Sequence, residues 1–438
     1  MLMKLKERLF SFFDTYCDTN RPILLALSGG ADSVFLLHLL VLYKKLDVHL
    51  VHVNHGWRKE SVDECNYLQD IARSLSLPFH TTTFDPKGYK GNLEEESRNE
   101  RLAYFQKVCK ETGAQGIFLA QHADDQAETV FKRVLEGSSL VNLRAMTSVS
   151  HYEGMQIFRP LLDVTKNEIQ SYLQDNKISY FTDPTNEDTR FLRARMRKEI
   201  FPQLRTSFGK AFDKNLCQIA REAELLAKYL DAKIAPYLES GIHSKMGWFF
   251  EKLPTEEVEL HHFIKKVSSS DALSRDAVSA LIDLLGSKKA NKRILGSFFT
   301  YIVDRGMLFV VREETMSLPA PQPLCFGVQQ YGPWTITVSK GRGVRKNHWK
   351  DLFSGSLQTV IPEGQYLLFP GETDDFSYEN EKKAIKILRK YFTEKRVPHF
   401  LLKYAPMIVT GSTVFEDFVT GSAKIEPTAA WCVNLSVK

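Results

Sequence analysis

The sequence predicts an α/β protein: a parallel, doubly wound sheet in an N-terminal domain, followed by a mainly helical domain and a small α+β C-terminal domain. Three observations carry that prediction. Between Arg21 and about Glu136, short apolar runs alternate with longer stretches of helical periodicity, the order that builds a parallel sheet covered on both faces. From 213 to about 312 helical periodicity dominates, with polar breaks at 268–271 and 286–289 and a strand-like close at Met307 to Val311. Beyond the stiff, extended Leu318-Pro-Ala-Pro-Gln-Pro323 the apolar runs are short again. The expected domains are therefore 1–212, 213–317 and 326–438.

In the first domain, Ile23 to Leu27, Val48 to Val53, Phe79 to Phe84 and Ile117 to Ala120 read as strands, separated by helices near 32–44, 60–76, 94–112 and 123–136. Ligands of such sheets bind outside the carboxyl ends of the strands, so the loops at Ser28, Asn54 and Gln121 should converge on one crevice. Residues 140–212 add a polar loop, the strand-like Gln156 to Arg159, a helix near 165–176 and an Arg-rich helix expected to end at Pro202. In the last domain, strands are expected at Trp334 to Val338, Thr359 to Ile361, Tyr366 to Phe369 and around 407–410, with a helix near 380–395.

With 43% hydrophobic and 25% charged residues among 438, the composition excludes collagenous, disordered and membrane-embedded classes. The longest apolar stretch, Val34 to Leu42, is broken by His38 and has about half the length a bilayer span needs. Glu7 and Asp14 interrupt the N-terminal segment where a secretory signal would be uniformly apolar, so the expectation is a cytoplasmic protein with no membrane contact. The six cysteines are widely spaced and form no C-x-x-C pair, which points to separate reduced thiols. The net charge of +5 is unevenly spread: residues 326–438 hold 15 basic and 11 acidic side chains, and the rest is nearly balanced. A local excess of this kind suits a polyanionic partner.

The sharpest signal is Leu24-Leu-Ala-Leu-Ser28-Gly29-Gly30-Ala31-Asp32-Ser33, an apolar strand that enters a hydroxyl- and glycine-rich turn and then a helix. Adjacent glycines let the backbone approach an anion, and the helix N-terminus supplies unpaired N–H groups. Ser28 and Ser33 add hydroxyl donors, while Asp32 suits phosphate only with Mg²⁺ between them. The plainer alternative, that Asp32 or Ser33 caps the helix, leaves the two glycines unexplained. Neither a Walker loop nor a dinucleotide loop is spelled at this strand.

That loop resembles the S-G-G-x-D-S loop of the N-type ATP pyrophosphatases, also called the PP-loop or adenine nucleotide alpha hydrolase-like proteins. Further stretches resemble the tRNA(Ile)-lysidine synthetases within that superfamily: His52-Val-Asn54-His55-Gly56-Trp-Arg58, Arg98-x-x-Arg101, His122-Ala-Asp124-Asp125-Gln126-Ala-Glu128-Thr129, Arg159-Pro-Leu-Leu, Asp183-Pro-Thr-Asn186, Arg193-x-Arg195-x-Arg197 and Arg396-Val-Pro398. The likeness is strong over most of 21–205 and weak beyond. It implies an ATP-dependent ligase that joins L-lysine to C2 of the wobble cytidine of a CAU-anticodon tRNA(Ile) through an adenylated tRNA, releasing AMP and pyrophosphate and changing the codon read from AUG to AUA. It implies ATP and Mg²⁺ as cofactors, and it is compatible with a homodimer. Two alternatives are another PP-loop tRNA-modifying enzyme and a non-catalytic protein that binds ATP and RNA.

The remaining residues are consistent with that chemistry. On the 123–136 helix, Ala123, Ala127, Val130, Phe131 and Val134 form the apolar stripe, while Asp125, Glu128 and Lys132 fall within about 60° of one another on a second face. Two carboxylates one turn apart suit a ligand with two amines; a solvated face with a Glu128–Lys132 pair is the bland alternative. Arg98 and Arg101 project onto the stripe set by Leu102, Phe105, Val108 and Cys109, so they should need acidic partners: Asp125, Glu128 or a ligand carboxylate. His52 and His55 either contact the nucleotide or satisfy a loop carbonyl. The expected site is then Ser28, Gly29, Gly30, Ala31, Asp32, Ser33, His52 and Asn54 for ATP, Asp32 for the metal, Arg101, Asp125 and Glu128 for lysine, and Asp32, Asp125 and Arg101 for catalysis.

Arg190, Arg193 and Arg197 share one helical face, and Lys386, Arg389 and Lys390 lie with Lys382 and Lys383 opposite an apolar face. Both stripes suit an RNA backbone, and both also suit solvent. A third run from Lys340 to Lys350 has five basic residues and no acid, with glycines that suggest a mobile loop able to close on RNA. Four positions depart from the family pattern: Gln121 in place of a histidine, Ala194 of an asparagine, Trp57 of a leucine and Leu402 of an arginine.

Overall fold

The computed structural model describes residues 2–54, 61–84, 93–181, 192–209, 211–271, 273–312, 317–341, 346–370, 393, 395–411, 413–419 and 430–437. The chain divides into two units, Met1–Lys228 and Tyr229–Lys438.

The first unit opens with helix α1 (Leu2–Tyr16) and continues β1 (Ile23–Ala26), α2 (Ala31–Tyr43), β2 (Val48–Asn54), α3 (Ser61–Ser74), β3 (Phe79–Thr83), α4 (Leu93–Thr112), β4 (Gly116–Phe118) and α5 (Ala123–Leu135). The hairpin β5 (Val149–Tyr152) and β6 (Met155–Phe158) and helix α6 (Lys166–Asp175) follow. The sheet order is β3-β2-β1-β4-β6-β5, and every pairing is parallel except β5 with β6. The parallel, doubly wound sheet expected from the alternating pattern is therefore present.

Side chains that alternate along β1 explain why both faces are covered. Ile23 and Leu25 join Leu50, Phe118 and Phe158 beneath α1, α2 and α6, whereas Leu24 joins Val51, Ile117 and Ile157 beneath Leu102, Phe105 and Val108 of α4. β1 reaches neighbours in opposite chain directions, β2 on one side and β4 on the other. The loops after β1 and β4 consequently flank a topological switch point at the carboxyl edge of the sheet.

The Arg-rich segment does not end at Pro202. It runs as α7 (Leu192–Arg195), a π-turn (Met196–Ile200) and α8 (Phe201–Phe208). Phe201 N donates to Met196 O, five residues back, and Pro202 falls in the first turn of α8, where a missing N–H costs no helical bond. Met196 and Phe201 pack with Leu216 and Ala220 against Ala123, Ala127 and Val130 of α5. Val134, expected in that stripe, is exposed because the α7–α8 segment covers only the first three turns.

Helix α9 (Phe212–Glu239) spans the division between the units. In the second unit, helices α10 (Glu257–Val267) and α11 (Arg275–Gly286) cover a five-stranded antiparallel sheet made of β7 (Ile242–Ser244), β8 (Gly247–Phe250), β9 (Lys292–Leu295), β10 (Thr300–Asp304) and β11 (Met307–Val311). Beside the expected helices, then, 213–317 contains a full sheet whose short strands lie under the helical periodicity. Tyr301, Val303, Leu308 and Val310 face α10 and α11, while Ile302, Phe309 and Val311 share a core with Trp334, Trp349 and Leu357 of the C-terminal region. That region holds two four-stranded sheets with strands at Trp334–Lys340, Ser356–Pro362, Leu367–Pro370 and Pro406–Thr410, close to the expected positions. The helix expected near 380–395 lies almost entirely outside the described residues.

Candidate active site

The turn after β1 is shaped by contacts that only glycine tolerates. Gly29 has φ +80, and a Cβ on it would meet Phe181 Cδ2 at 2.8 Å and Leu68 Cδ2 at 3.3 Å. Phe181 N donates to Gly29 O at 2.9 Å, so the loop is clamped from outside by a residue 152 positions later. The Ser33 hydroxyl donates to Gly30 O at 3.1 Å and accepts from Ser28 N at 3.2 Å, leaving the Ser28 hydroxyl to donate to Ser33 Oγ at 3.1 Å. Gly30 is the N-cap of α2 and makes no side-chain cap bond, so neither Asp32 nor Ser33 caps this helix. Among the described residues no side chain accepts from the first-turn N–H groups, which is the state an anion-binding helix end requires.

Asp32 and Ala31 start α2, and Asp32 Oδ1 is buried with no hydrogen-bond partner among the described residues. Burial raises its pKa, and the nearby Asp125 carboxylate adds to that against the pull of His122, Lys166 and Arg197. An unsatisfied carboxylate oxygen beside an uncapped helix N-terminus is the donor a hard divalent cation takes up. Mg²⁺ commonly needs only one or two carboxylates in addition to phosphates and water, so the absence of a three-residue ligand cluster among the described residues does not count against it.

After β4, buried His122 forms the N-cap of α5. Its Nε2 lies 3.7 Å from Asp32 Oδ2 and 3.6 Å from Asp125 Oδ2, and its Nδ1 lies 3.4 Å from Asp124 Oδ2. Burial opposes the imidazolium, but these three carboxylates outweigh it and raise the His122 pKa. Nδ1 also accepts from Asp124 N at 3.2 Å, a bond open only to an unprotonated Nδ1, so the α5 cap and the charge on His122 are coupled. Asp124 accepts from Lys166 N at 2.9 Å, and despite burial that bond and His122 hold its carboxyl down to about 2.

Asp125 and Glu128 share a face of α5, as their spacing predicts, but their partner is neither Lys132 nor Arg101. Arg197 Nε donates to Glu128 Oε1 at 2.5 Å, and Arg197 Nη2 donates to Glu128 Oε2 at 3.0 Å and Asp125 Oδ1 at 2.8 Å. Lys132 instead approaches Glu136 at 3.7 Å. Burial raises the Glu128 carboxyl against the pull of Arg197, while the Arg197 pKa is raised by Glu128 and Asp125 against burial. Since a guanidinium is a strong base and its two carboxylate partners raise its pKa further, Arg197 stays a cation.

Arg98 and Arg101, expected to point inward, are exposed. A 20-residue helix is about 30 Å long, so the first turns of α4 overhang strands of three to seven residues. Neither makes an ion pair among the described residues; crowding by protein, then Arg98 and Arg193, lowers the Arg101 pKa. Arg193 is exposed beside them, but Arg197 is turned inward by the π-turn and leaves the face it was expected to share. His52 Nδ1 donates to Leu27 O at 2.8 Å, which satisfies a loop carbonyl, and burial lowers its pKa; Asn54 is buried at the carboxyl end of β2. Arg190, Lys386, Arg389, Lys390, His55, Trp57 and 342–345 lie outside the described residues.

Three departures acquire a physical account. Gln121 accepts from Arg159 Nε at 2.6 Å, and buried Arg159 also donates to Ser150 Oγ at 2.7 Å and Thr147 O at 3.1 Å; burial brings its pKa down to about 10. Ala194 is buried, and Leu402 is a core residue of the second unit. Sequence reasoning missed His122 as the hub of the acidic cluster, Phe181 as the clamp on the loop and Arg197 as the partner of Asp125 and Glu128. The first lay inside a quoted motif; for the other two no signal in the sequence specifies the contact.

A family model for the PP-loop domain matches residues 1–204. The chain is 32% identical over 435 residues to the tRNA(Ile)-lysidine synthase of Protochlamydia amoebophila, covering 94% of this chain and 91% of the relative. It is 40% identical over 239 residues to the synthase of the same name from Chlamydia pneumoniae, covering 54% of this chain and 74% of that protein. For Chlamydia caviae the corresponding figures are 41% over 247 residues, 56% and 77%.

Proposed function

We propose that this chain, which belongs to the tRNA(Ile)-lysidine synthase family, is an ATP-dependent ligase that joins L-lysine to C2 of the wobble cytidine of a CAU-anticodon tRNA(Ile). The observation that carries the reading is the pairing, across one switch-point crevice, of an uncapped glycine-loop helix end with two carboxylates one helical turn apart, buried Glu128 and partly buried Asp125.

Ser28 to Ser33 cradle the triphosphate through backbone N–H groups and the two hydroxyls, and Asp32, whose Oδ1 has no partner among the described residues, would hold Mg²⁺. The metal supplies charge neutralisation of the phosphates. Asn54 lines the nucleotide side from the end of β2, and His52 supports the loop through the Leu27 carbonyl. The cytidine O2 attacks the α-phosphorus, forming an O–P bond as pyrophosphate leaves. The resulting adenylate makes O2 a leaving group. Lysine, held through Asp125, Glu128 and Arg101, then forms the C2–N bond with its ε-amine, AMP departs with O2, and the amine loses a proton to its surroundings. Arg190 and Arg193 with Lys386, Arg389 and Lys390 contact the tRNA backbone, while Arg197, turned inward onto Asp125 and Glu128, does not join that stripe. The reading is of a cytoplasmic protein and is compatible with a homodimer, a state sedimentation checks directly.

The test is direct: [α-³²P]ATP, lysine and a CAU-anticodon transcript should yield AMP, pyrophosphate and lysine-bearing RNA. Turnover that does not depend on lysine removes the assignment.

A further inference from the structure

We propose that Arg197 is a built-in occupant of the dicarboxylate subsite, an internal stand-in for an alkylammonium ion that has to leave before lysine binds. The inference rests on the reading of Asp125 and Glu128 as the lysine subsite. Its basis is an inventory of acceptors. Both Glu128 oxygens and Asp125 Oδ1 accept from Arg197, and Asp125 Oδ2 accepts from His122 N at 3.0 Å. Every carboxylate oxygen of the subsite is therefore engaged, and Glu128 is only 3% exposed. Each oxygen keeps a second lone pair, but an ammonium approaching it meets the like charge of the guanidinium lying across both carboxylates, so it gains the pair of them by displacing Arg197. The exchange is balanced electrostatically, since one cation replaces another between buried Glu128 and partly buried Asp125.

The segment that carries Arg197 is built to allow the exchange. Arg197 stands in the π-turn between the buried anchors Met196 and Phe201, and its own side chain is 35% exposed, so a route to solvent exists. A π-turn holds one residue more than an α-helical turn; a change of register between the anchors swings Arg197 by about 100°. Arg193 and Arg195 on the same segment are exposed cations, so an RNA phosphate arriving there draws the segment outward. Lysine binding and RNA binding are then coupled, each raising the affinity for the other.

Calorimetric titration decides the matter, with lysine and with cadaverine, which carries two amines and no carboxylate, in the absence of RNA. Arg197→Met is expected to bind both ligands about tenfold or more tighter than the unsubstituted chain, because a blocked subsite lowers apparent affinity by its open fraction. Arg197→Lys, unable to grip both carboxylates at once, should fall between, and it alone decides if the methionine variant does not fold. A transcript should tighten lysine binding to the unsubstituted chain and add little to Arg197→Met. Unchanged or weaker binding in both variants, with Glu128→Gln still weakening lysine in the unsubstituted chain, overturns the plug and leaves the subsite standing. If Glu128→Gln has no effect on lysine either, the subsite reading falls with it.

Discussion

The guanidinium of Arg197 grips Glu128 at 2.5 and 3.0 Å across 69 residues of sequence, and the same Nη2 reaches Asp125 at 2.8 Å. One cation thus neutralises two carboxylates that would otherwise face each other one helical turn apart. Glu128→Gln is expected to raise the KM for lysine about tenfold or more, because a neutral amide forfeits the charge-assisted bond to an ammonium. Steady-state kinetics at varied lysine checks this, and an unchanged KM would move lysine recognition elsewhere.

Asp32 stands apart from its neighbours in having a buried oxygen with no partner among the described residues. Asp32→Ala should abolish AMP formation while tRNA binding persists. Because the carboxylate is destabilised by burial, the variant should melt no lower than the unsubstituted chain. Retained AMP formation would remove the metal-holding role, and a large drop in Tm would show that Asp32 is structural.

Gly29 and Gly30 are adjacent but not equivalent. At Gly29 a side chain meets φ +80 and the Phe181 ring, whereas Gly30 has an ordinary φ of −74 and its nearest obstacle is Ser28 Oγ at 3.6 Å. Gly29→Ala should cost about 1–2 kcal/mol in backbone strain, with more from the clash, and weaken ATP binding. Gly30→Ala should retain the stability. Denaturant melts of the two variants compare them directly, and equal losses would show that loop conformation is not the constraint.

His122 gives a pH signature with a definite sign. Its folded pKa is raised above the unfolded value of about 6.5, so its stabilising contribution is complete below that pH and is lost as pH rises through the folded pKa. Tm should therefore fall as pH rises above about 6.5, and fall less in His122→Gln. Parallel curves for the two proteins would show that the acidic cluster does not hold a proton on His122.

For the basic stripe of Lys386, Arg389 and Lys390 the prediction concerns salt. Neutralising Lys386, Arg389 and Lys390 together should weaken tRNA binding and flatten its dependence on salt concentration, since each lost phosphate contact releases one counterion fewer. Undiminished affinity in filter binding would return that stripe to solvent.

Much of the site was legible because it depends on local spelling. The turn at Ser28 follows from an apolar strand meeting two glycines, and Asp125 with Glu128 share a face because three residues make nearly one helical turn. The Arg101 side chain was misjudged for a geometric reason: periodicity reports the angle around a helix and not how far the helix runs past the sheet beneath it. The end of the Arg-rich helix was misjudged because Pro202 was read as a stop, although a proline in the first turn of a new helical segment breaks nothing.

The amino-acid order alone determined the strand–turn–helix that presents free N–H groups, the alternation that forces a parallel sheet with two covered faces, and the carboxylate pair on α5. Each rests on interactions within a few residues or on a repeating period. Tertiary structure alone decided that Phe181 clamps Gly29, that His122 sits among three carboxylates, and that Arg197 rather than Arg101 occupies the acidic face. These contacts join segments whose separation along the chain carries no periodic signal, and they exist because burying the apolar stripe of α5 against Met196 and Phe201 leaves Arg197 no nearer acceptor than Asp125 and Glu128.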